Sequence, residues 1–272
     1  MKFEKTQVFN FEGAFRGMRN PMNSWEKSDS LFYSERDDWV YCDYELEDWI
    51  YNYIKEENPD FDILDFDDEE STNIIRGEVT FNRDVEVTDI IAIGHNDMKL
   101  ARRLIEAGGE HRKFLRQIFV SVDITAPLFW WNEFDTYKVA TVSNSCSKMH
   151  KLASTPITLD CFEIDDLNLI PYDESTQRSE LKYPIDPDFI QMALIPYLEY
   201  LRQKYLETKD LTYWKELIRW LPESWLQKRT ITLNYENLRN MYHQRKNHKL
   251  TEWHSFCHWV ETLPYAKELI IN

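Results

Sequence analysis

The stretch Gln117-Ile118-Phe119-Val120-Ser121-Val122-Asp123-Ile124-Thr125 alternates apolar and polar side chains, and Ala126-Pro127-Leu128-Phe129-Trp130-Trp131-Asn132-Glu133-Phe134 follows it directly. Period-two alternation marks a strand with one face on a core and the other toward polar surroundings. Pro127 has no N–H to give to a ladder, so the strand is predicted to break at Ala126-Pro127 and a helix to start at Leu128. Such a strand needs other elements over its apolar face, and the flanking sequence supplies them.

On the N-terminal side, Asn96 to Ala107 has helical spacing and is stopped by Gly108-Gly109. Thr72 to Val87 alternates like strands, and Asp60 to Ser71 reads as an acidic loop. Asp37 to Lys55 reads as an amphipathic helix ended by Pro59, and Gly13 to Pro21 is a short segment closing in a turn. On the C-terminal side, Ser143 to Ser147 is small and polar and reads as a loop. The four prolines between residues 154 and 187 mark a connector. Asp188 to Glu207 and Tyr213 to Trp220 are predicted helices, Thr230 to Leu233 a short extended piece, and Tyr235 to Arg245 and Thr251 to Leu263 two further helices. There is no internal repeat. The expectation is one α+β domain over residues 1–272, with an antiparallel sheet packed against a mainly helical C-terminal half.

Composition narrows the function classes. Hydrophobic residues are 43% and aromatics 15% of the 272, enough for a large packed core. Only six glycines are present, and no Gly-x-Gly-x-x-Gly or Gly-x-x-x-x-Gly-Lys string occurs, so a Rossmann or P-loop phosphate cradle is excluded. The net charge of −16 is concentrated between Glu35 and Glu70, where 16 acidic residues face two basic ones, Arg36 and Lys55. A broad basic face for a nucleic-acid polymer is therefore not expected, while a few arginines elsewhere suffice for one phosphate pocket. Cys42, Cys146, Cys161 and Cys257 contain no Cys-x-x-Cys, no signal-peptide pattern opens the chain, and no apolar run reaches the roughly 18 residues that span a bilayer. Reduced thiols, a cytoplasmic location and no membrane contact are the expectations.

Two strings outside the strand carry candidate chemistry. Arg219-Trp220-Leu221-Pro222 ends a helix, and Thr232-Leu233-Asn234 with Leu238-Arg239-Asn240 and Arg245 spans another. Arg219, Arg245, Lys138 and Lys148 are cations suited to phosphate, guanidinium bidentately and ammonium as a point charge. Ser143, Ser145 and Ser147 can add hydroxyl and backbone donors to the same oxygens. The competing reading is that these arginines cap helix ends or pair with the abundant carboxylates. Asn234 is equally an N-cap for the helix starting at Tyr235. Asn240 has no such local explanation. His254-x-x-x-His258 lacks a neighbouring acidic base, so packing or surface positions are expected and no metal. Trp130-Trp131 read as core, and Cys146 as a small loop residue.

Taken in order, these strings resemble the flavin-dependent thymidylate synthases, the ThyX family. Phe119 to Phe129 resembles the strand and Ala-Pro-aliphatic-Phe leading into the family motif R-H-R-x-x-S-x-N-E-x-S-x-R-Y; the other two resemble its Arg-x-x-Leu-Pro, here one residue shorter, and its Thr-x-Asn, Leu-x-Asn and following Arg. Order and spacing agree over residues 95–263, while 1–94 is a divergent, acidic N-terminal region. Counted from Ala126-Pro127, the motif falls on Thr136 to Met149. Thr136, Tyr137 and Lys138 stand at R-H-R, Ser143-Asn144 at the Asn-Glu pair, Cys146 at the second Ser and Lys148-Met149 at Arg-Tyr. A one-residue shift superimposes Asn144 and Ser147 on the family's Asn and Ser instead. The resemblance implies FAD as cofactor, NADPH and methylenetetrahydrofolate as co-substrates, a pyrimidine deoxynucleotide (deoxyuridylate, dUMP) as substrate, and a homotetramer. It implies Arg219, Lys148, Ser143, Ser147 and Arg245 at the substrate, with Arg245 catalytic, and Asn234, Asn240, Tyr137, Lys138 and Asn144 at the flavin. The alternative is a catalytically degenerate nucleotide-binding or acidic interaction protein with the same fold.

Overall fold

In the computed structural model, residues 1–34, 85–87, 89–137, 139–147, 151–164 and 190–272 are described. The expected helix Asp37–Lys55, the acidic loop, Lys138, Lys148 and most of the proline-rich connector lie outside them. The chain runs β1 (Lys2–Phe9), α1 (Phe11–Arg19), β2 (Leu31–Ser34), β3 (Val85–Val87), β4 (Asp89–Ala92), α2 (His95–Glu106), β5 (Phe119–Pro127), α3 (Leu128–Phe134), β6 (Val142–Ser145), α4 (Ile195–Thr208), α5 (Leu211–Trp220), β7 (Leu226–Asn234), α6 (Tyr235–Arg245) and α7 (Thr251–Glu261). Short π-helical turns occupy Ile190–Leu194 and Lys267–Ile271.

The main sheet has the order β3-β1-β5-β7-β6. Four of its strands form the antiparallel sheet of an α+β fold, and β3 extends it by pairing parallel with β1, Thr6 opposite Val85 and Val8 opposite Val87. A separate antiparallel ladder joins β2 to β4. β5 realises the alternation in the sequence: Val120, Val122, Ile124 and Ala126 are buried, and the intervening residues are half-buried. Its register on β7 is carried by the Tyr235 N–H donating to Ile118 O at 3.0 Å and by Thr230 Oγ1 donating to Asp123 Oδ1 at 2.6 Å.

Two compact units are resolved. One contains residues 125–136 and 145–229, the other residues 2–124, 137–144 and 230–272. In the first, Leu152, Ile157, Phe162, Ile195, Leu198, Leu201 and Leu217 form a core that joins α4 to α5. Asp210 caps α5 by accepting from the Thr212 N–H at 2.8 Å. Arg202 fastens α4 to the 3-10 turn Leu152–Ser154, with bonds to both Glu199 oxygens and to Ala153 O. In the second unit, Phe11 meets Tyr235 edge-on at 5.6 Å and Phe15 meets Phe114 at 5.9 Å, so α1 packs against the start of α6 and the 3-10 turn Lys113–Gln117.

Three sequence expectations are corrected. Ser143–Ser147, read as a loop, is strand β6 over Val142–Ser145. Small polar residues have weak strand preference, but an edge strand forms from backbone pairing, and the Cys146 N–H donates to Lys228 O at 2.9 Å. The same pairing lengthens β7 to nine residues, beyond the expected Thr230–Leu233. Gln117 belongs to a 3-10 turn, Lys113–Gln117, with its carbonyl taken by the Asn10 amide at 2.8 Å. Elsewhere α2, α5, α6 and α7 lie where helical spacing placed them, and Gly108 ends the α2 region at φ +104°, a conformation suited to glycine.

Candidate functional site

The second unit contains a polar cluster built on α6. β7 delivers Asn234 to the helix start, and its Oδ1 accepts from the Asn237 N–H at 2.9 Å while Asn237 Oδ1 accepts from the Asn234 N–H at 3.3 Å. This reciprocal cap satisfies two otherwise orphaned amides. Asn237 also donates through Nδ2 to Val139 O at 2.8 Å, tying the segment after Tyr137 to the first turn of α6.

At the other end of α6, Arg245 Nε donates to the Tyr137 hydroxyl at 2.8 Å. The Tyr137 hydroxyl in turn donates to Gln244 Oε1 at 2.9 Å. The Arg245 guanidinium carbon stands 4.7 Å from the Trp253 ring centre and 5.5 Å from that of Tyr137. Trp253 is fully buried, its indole edge-on to Tyr137 at 6.2 Å and to His248 at 6.2 Å. A cation in the last turn of a helix is favoured by the helix dipole, and its stacking on an indole adds to that. Asn240 is exposed. It shares one side of α6 with Asn237 and Gln244 by three- and four-residue spacing.

The cationic side chains of α6 are partly desolvated. Burial, then the Arg239 charge, lowers the His243 pKa, and its Nε2 lies 3.1 Å from Ile270 O. Burial, then Arg112, lowers that of Arg239, which donates to Ile270 O at 2.6 Å. Burial, then the hydrogen bond to Glu261, pushes the Tyr242 hydroxyl up to about 12.

The sequence-selected residues distribute as follows. Tyr137, Ser143, Asn144, Asn234, Asn240 and Arg245 belong to the second unit, and Ser147 and Arg219 to the first. Within the second unit, Tyr137 and Arg245 touch, and Asn234 is spent on the cap. Ser143 and Asn144 are exposed on β6. In the first unit, Arg219 is exposed and pairs through Nη1 with Glu216, whose other oxygen accepts from Trp220 Nε1 at 2.6 Å. Arg219 thus makes the carboxylate pairing that the competing reading foresaw. Trp130 and Trp131 are core, as expected. His254 faces His248 O at 2.7 Å and His258 faces Glu261 Oε2 at 3.1 Å. Among the described residues no group of three or more potential ligands is disposed to hold a metal. No helix among them is long and apolar enough to cross a membrane.

Gln244 and Trp253 were not singled out from the sequence as site residues. The available signal was the Asn237, Asn240, Gln244 stripe on α6. Arg229 was missed too: it stacks 4.2 Å from the Trp131 ring centre and pairs with Asp135 at 2.9 Å and Gln227 at 3.0 Å, a structural clamp within the first unit.

Fold and cluster together define a class: an α+β protein with an antiparallel sheet and a polar, aromatic-backed cluster on the helix that follows β7. No protein-family description and no curated protein sequence matches the chain. Among solved structures, it is similar to the flavin-dependent thymidylate synthase ThyX from Helicobacter pylori complexed with FAD and dUMP. That likeness has a TM-score of 0.54 at 15% identity and covers 99% of this chain and 98% of that one. A second structure of Thymidylate Synthase X from the same organism, with FAD and dUMP, gives 0.54 and 15% over 99% and 97%. At this identity the likeness shows the fold: the chain has the fold of ThyX.

Exposed Asn240 and Asn144 each offer an amide donor and acceptor, the complement of the pyrimidine edge of an isoalloxazine ring.

Proposed function

We propose that this protein binds a pyrimidine deoxynucleoside monophosphate through Arg245 and converts it as a ThyX-like thymidylate synthase, methylating dUMP with methylenetetrahydrofolate and reduced flavin. One observation carries the reading. Tyr137 and Arg245, picked out on separate sequence strings 108 positions apart, meet at 2.8 Å beside a buried indole. In such a site the protein's part is positional. Arg245, held by Tyr137 and Trp253, presents a fixed cation to the pyrimidine carbonyls, where charge accumulates when C5 attacks a one-carbon unit. No covalent side-chain nucleophile is required. Asn240 and Asn144, with Lys138 by resemblance, would hold the flavin, which when bound supplies the reducing equivalents that complete the methyl group. Arg219 is the candidate phosphate contact, released from Glu216 when the ligand's dianion replaces that carboxylate. Lys148, Ser143 and Ser147 belong to the same proposed substrate set, with NADPH as the reductant of the flavin and a homotetramer as the working form.

Calorimetric titration with dUMP, with and without FAD, tests the reading. Expected are saturable dUMP binding and a flavin absorbance that stays with the protein. Arg245→Ala and Arg219→Ala should each weaken dUMP binding by about 1.5–3 kcal/mol, the cost of a lost charge-assisted bond. Unchanged affinity in both variants would sink the proposal. The second reading, a nucleotide-binding protein without turnover, is favoured by Thr136 and Tyr137 standing where the family motif has Arg and His. It predicts dUMP binding with no retained flavin and no thymidylate formed.

A further inference from the structure

The geometry around Arg245 points to a positioning relay in which Gln244, acting through the Tyr137 hydroxyl, sets the plane in which Arg245 meets the pyrimidine ring. The inference rests on Arg245 as a nucleotide contact and adds two residues to it, together with a reason for base selectivity.

A guanidinium can only donate, so the Arg245 Nε contact at 2.8 Å makes the Tyr137 oxygen its acceptor. The hydroxyl proton must then go elsewhere, and Gln244 Oε1 lies 2.9 Å away to receive it. This polarity assigns the Gln244 amide. Were its nitrogen turned toward Tyr137, two donors would converge on one hydroxyl and leave the phenolic proton without its acceptor. In a chain of this direction each bond polarises the next. Gln244 and Arg245 are neighbours on α6, about 100° apart around the helix. The tyrosine that links them lies 107 residues away from Gln244 in sequence.

The ring of Trp253 limits the freedom that remains. The guanidinium stacks 4.7 Å from the Trp253 ring centre, and that indole, fully buried, is a wall that cannot follow a moving cation. With Nε committed to Tyr137 and the guanidinium carbon held over the indole, the orientations open to the guanidinium are restricted. That restriction matters little to a phosphate, whose oxygens accept from many directions. It matters to the carbonyl edge of a pyrimidine, which accepts best from donors near the ring plane. The relay therefore makes Arg245 selective for a planar base carbonyl, and Tyr137 and Gln244 are its positioning residues.

Full-length wild type, Tyr137→Phe, Gln244→Leu and Arg245→Ala are titrated with dUMP and, separately, with deoxyribose 5-phosphate, which lacks the base. Tyr137→Phe and Gln244→Leu should bind dUMP roughly five- to tenfold more weakly, the loss expected for one hydrogen bond in a chain, with deoxyribose 5-phosphate affinity unchanged. A readout on the free protein accompanies it: hydrogen exchange of the Arg245 Nε–H followed by 15N NMR. Exchange should quicken in Gln244→Leu and stay slow in Gln244→Glu, which keeps the acceptor. If Gln244→Leu matches wild type in both dUMP affinity and exchange, the relay is overturned, and a binding defect in Arg245→Ala would leave the parent reading standing. If exchange quickens as expected while Arg245→Ala binds dUMP normally, the positioning chain exists and the assignment of a nucleotide to it is wrong. Equal weakening toward both ligands would overturn the base selectivity.

Discussion

Arg19→Leu tests how far a buried ion pair holds the second unit together. Arg19 Nε lies 2.5 Å from Asp97 Oδ1, with side chains 5% and 0% exposed. Arg19 also donates through Nη1 to Ser24 O at 3.2 Å. The other carboxylate oxygen of Asp97 accepts from Ser28 Oγ at 2.6 Å and Ser30 Oγ at 2.5 Å. Asp97 opens α2, so the pair joins the end of α1 to the start of α2. Deleting the guanidinium leaves a buried anion with two neutral donors and no cation. Removing one member of such a pair costs about 3–5 kcal/mol. In a chain of this size each kcal/mol moves the melting temperature by about 2–4 °C, so a drop on the order of 6–20 °C is expected. The assay is thermal and urea unfolding of wild type, Arg19→Leu and the double variant Arg19→Leu/Asp97→Leu. The double variant should recover most of the loss, because an apolar pair carries no desolvated charge. A single variant within about 1 kcal/mol of wild type would refute the reasoning, as would a double variant no more stable than the single one.

Further expectations follow from single contacts. Asn234→Ala removes the accepting half of the α6 cap and should cost about 1 kcal/mol in urea unfolding, with Asn234→Asp retaining most of it. The Arg202 hydrogen bond beside Glu199 holds its carboxyl well below the ordinary 4.5, at about 2. Since its folded value is depressed, its stabilisation is complete above about pH 4.5 and is lost as pH falls toward 2. The stability gap between wild type and Glu199→Gln should therefore narrow over that window and be flat above it. Burial pushes the Cys257 thiol up to about 11, so in the folded protein at pH 8 iodoacetamide should label exposed Cys146 and spare Cys257, as peptide mass mapping can check. Rapid labelling of Cys257 would contradict its packing.

The fold was legible where side-chain pattern decides it. β5 alternates on the page and in space, Asn234 reads as a cap and serves as one, and Gly108 closes the α2 region where it appears in the string. β6 was illegible because an edge strand of Val-Ser-Asn-Ser has no pattern; its existence depends on the carbonyls of β7. The parallel pairing of β3 with β1 was equally hidden, because three residues carry no record of their partner.

The candidate site divides in the same way. Sequence supplied its candidate chemistry: a cation at Arg245, amides at Asn234 and Asn240, and Tyr137 in the segment after the strand, with Arg219 as a separate candidate in the first unit. It could not tell that Asn234 would be spent on its helix or Arg219 on Glu216, since a side chain's availability depends on what else lies within 3 Å of it. By itself the sequence determined periodicity, caps and charge inventory, all properties of neighbours along the chain. Only the tertiary structure placed Tyr137 against Arg245 and Gln244 and backed them with Trp253, because a hydrogen bond between segments 108 residues apart exists only once the chain has closed that loop.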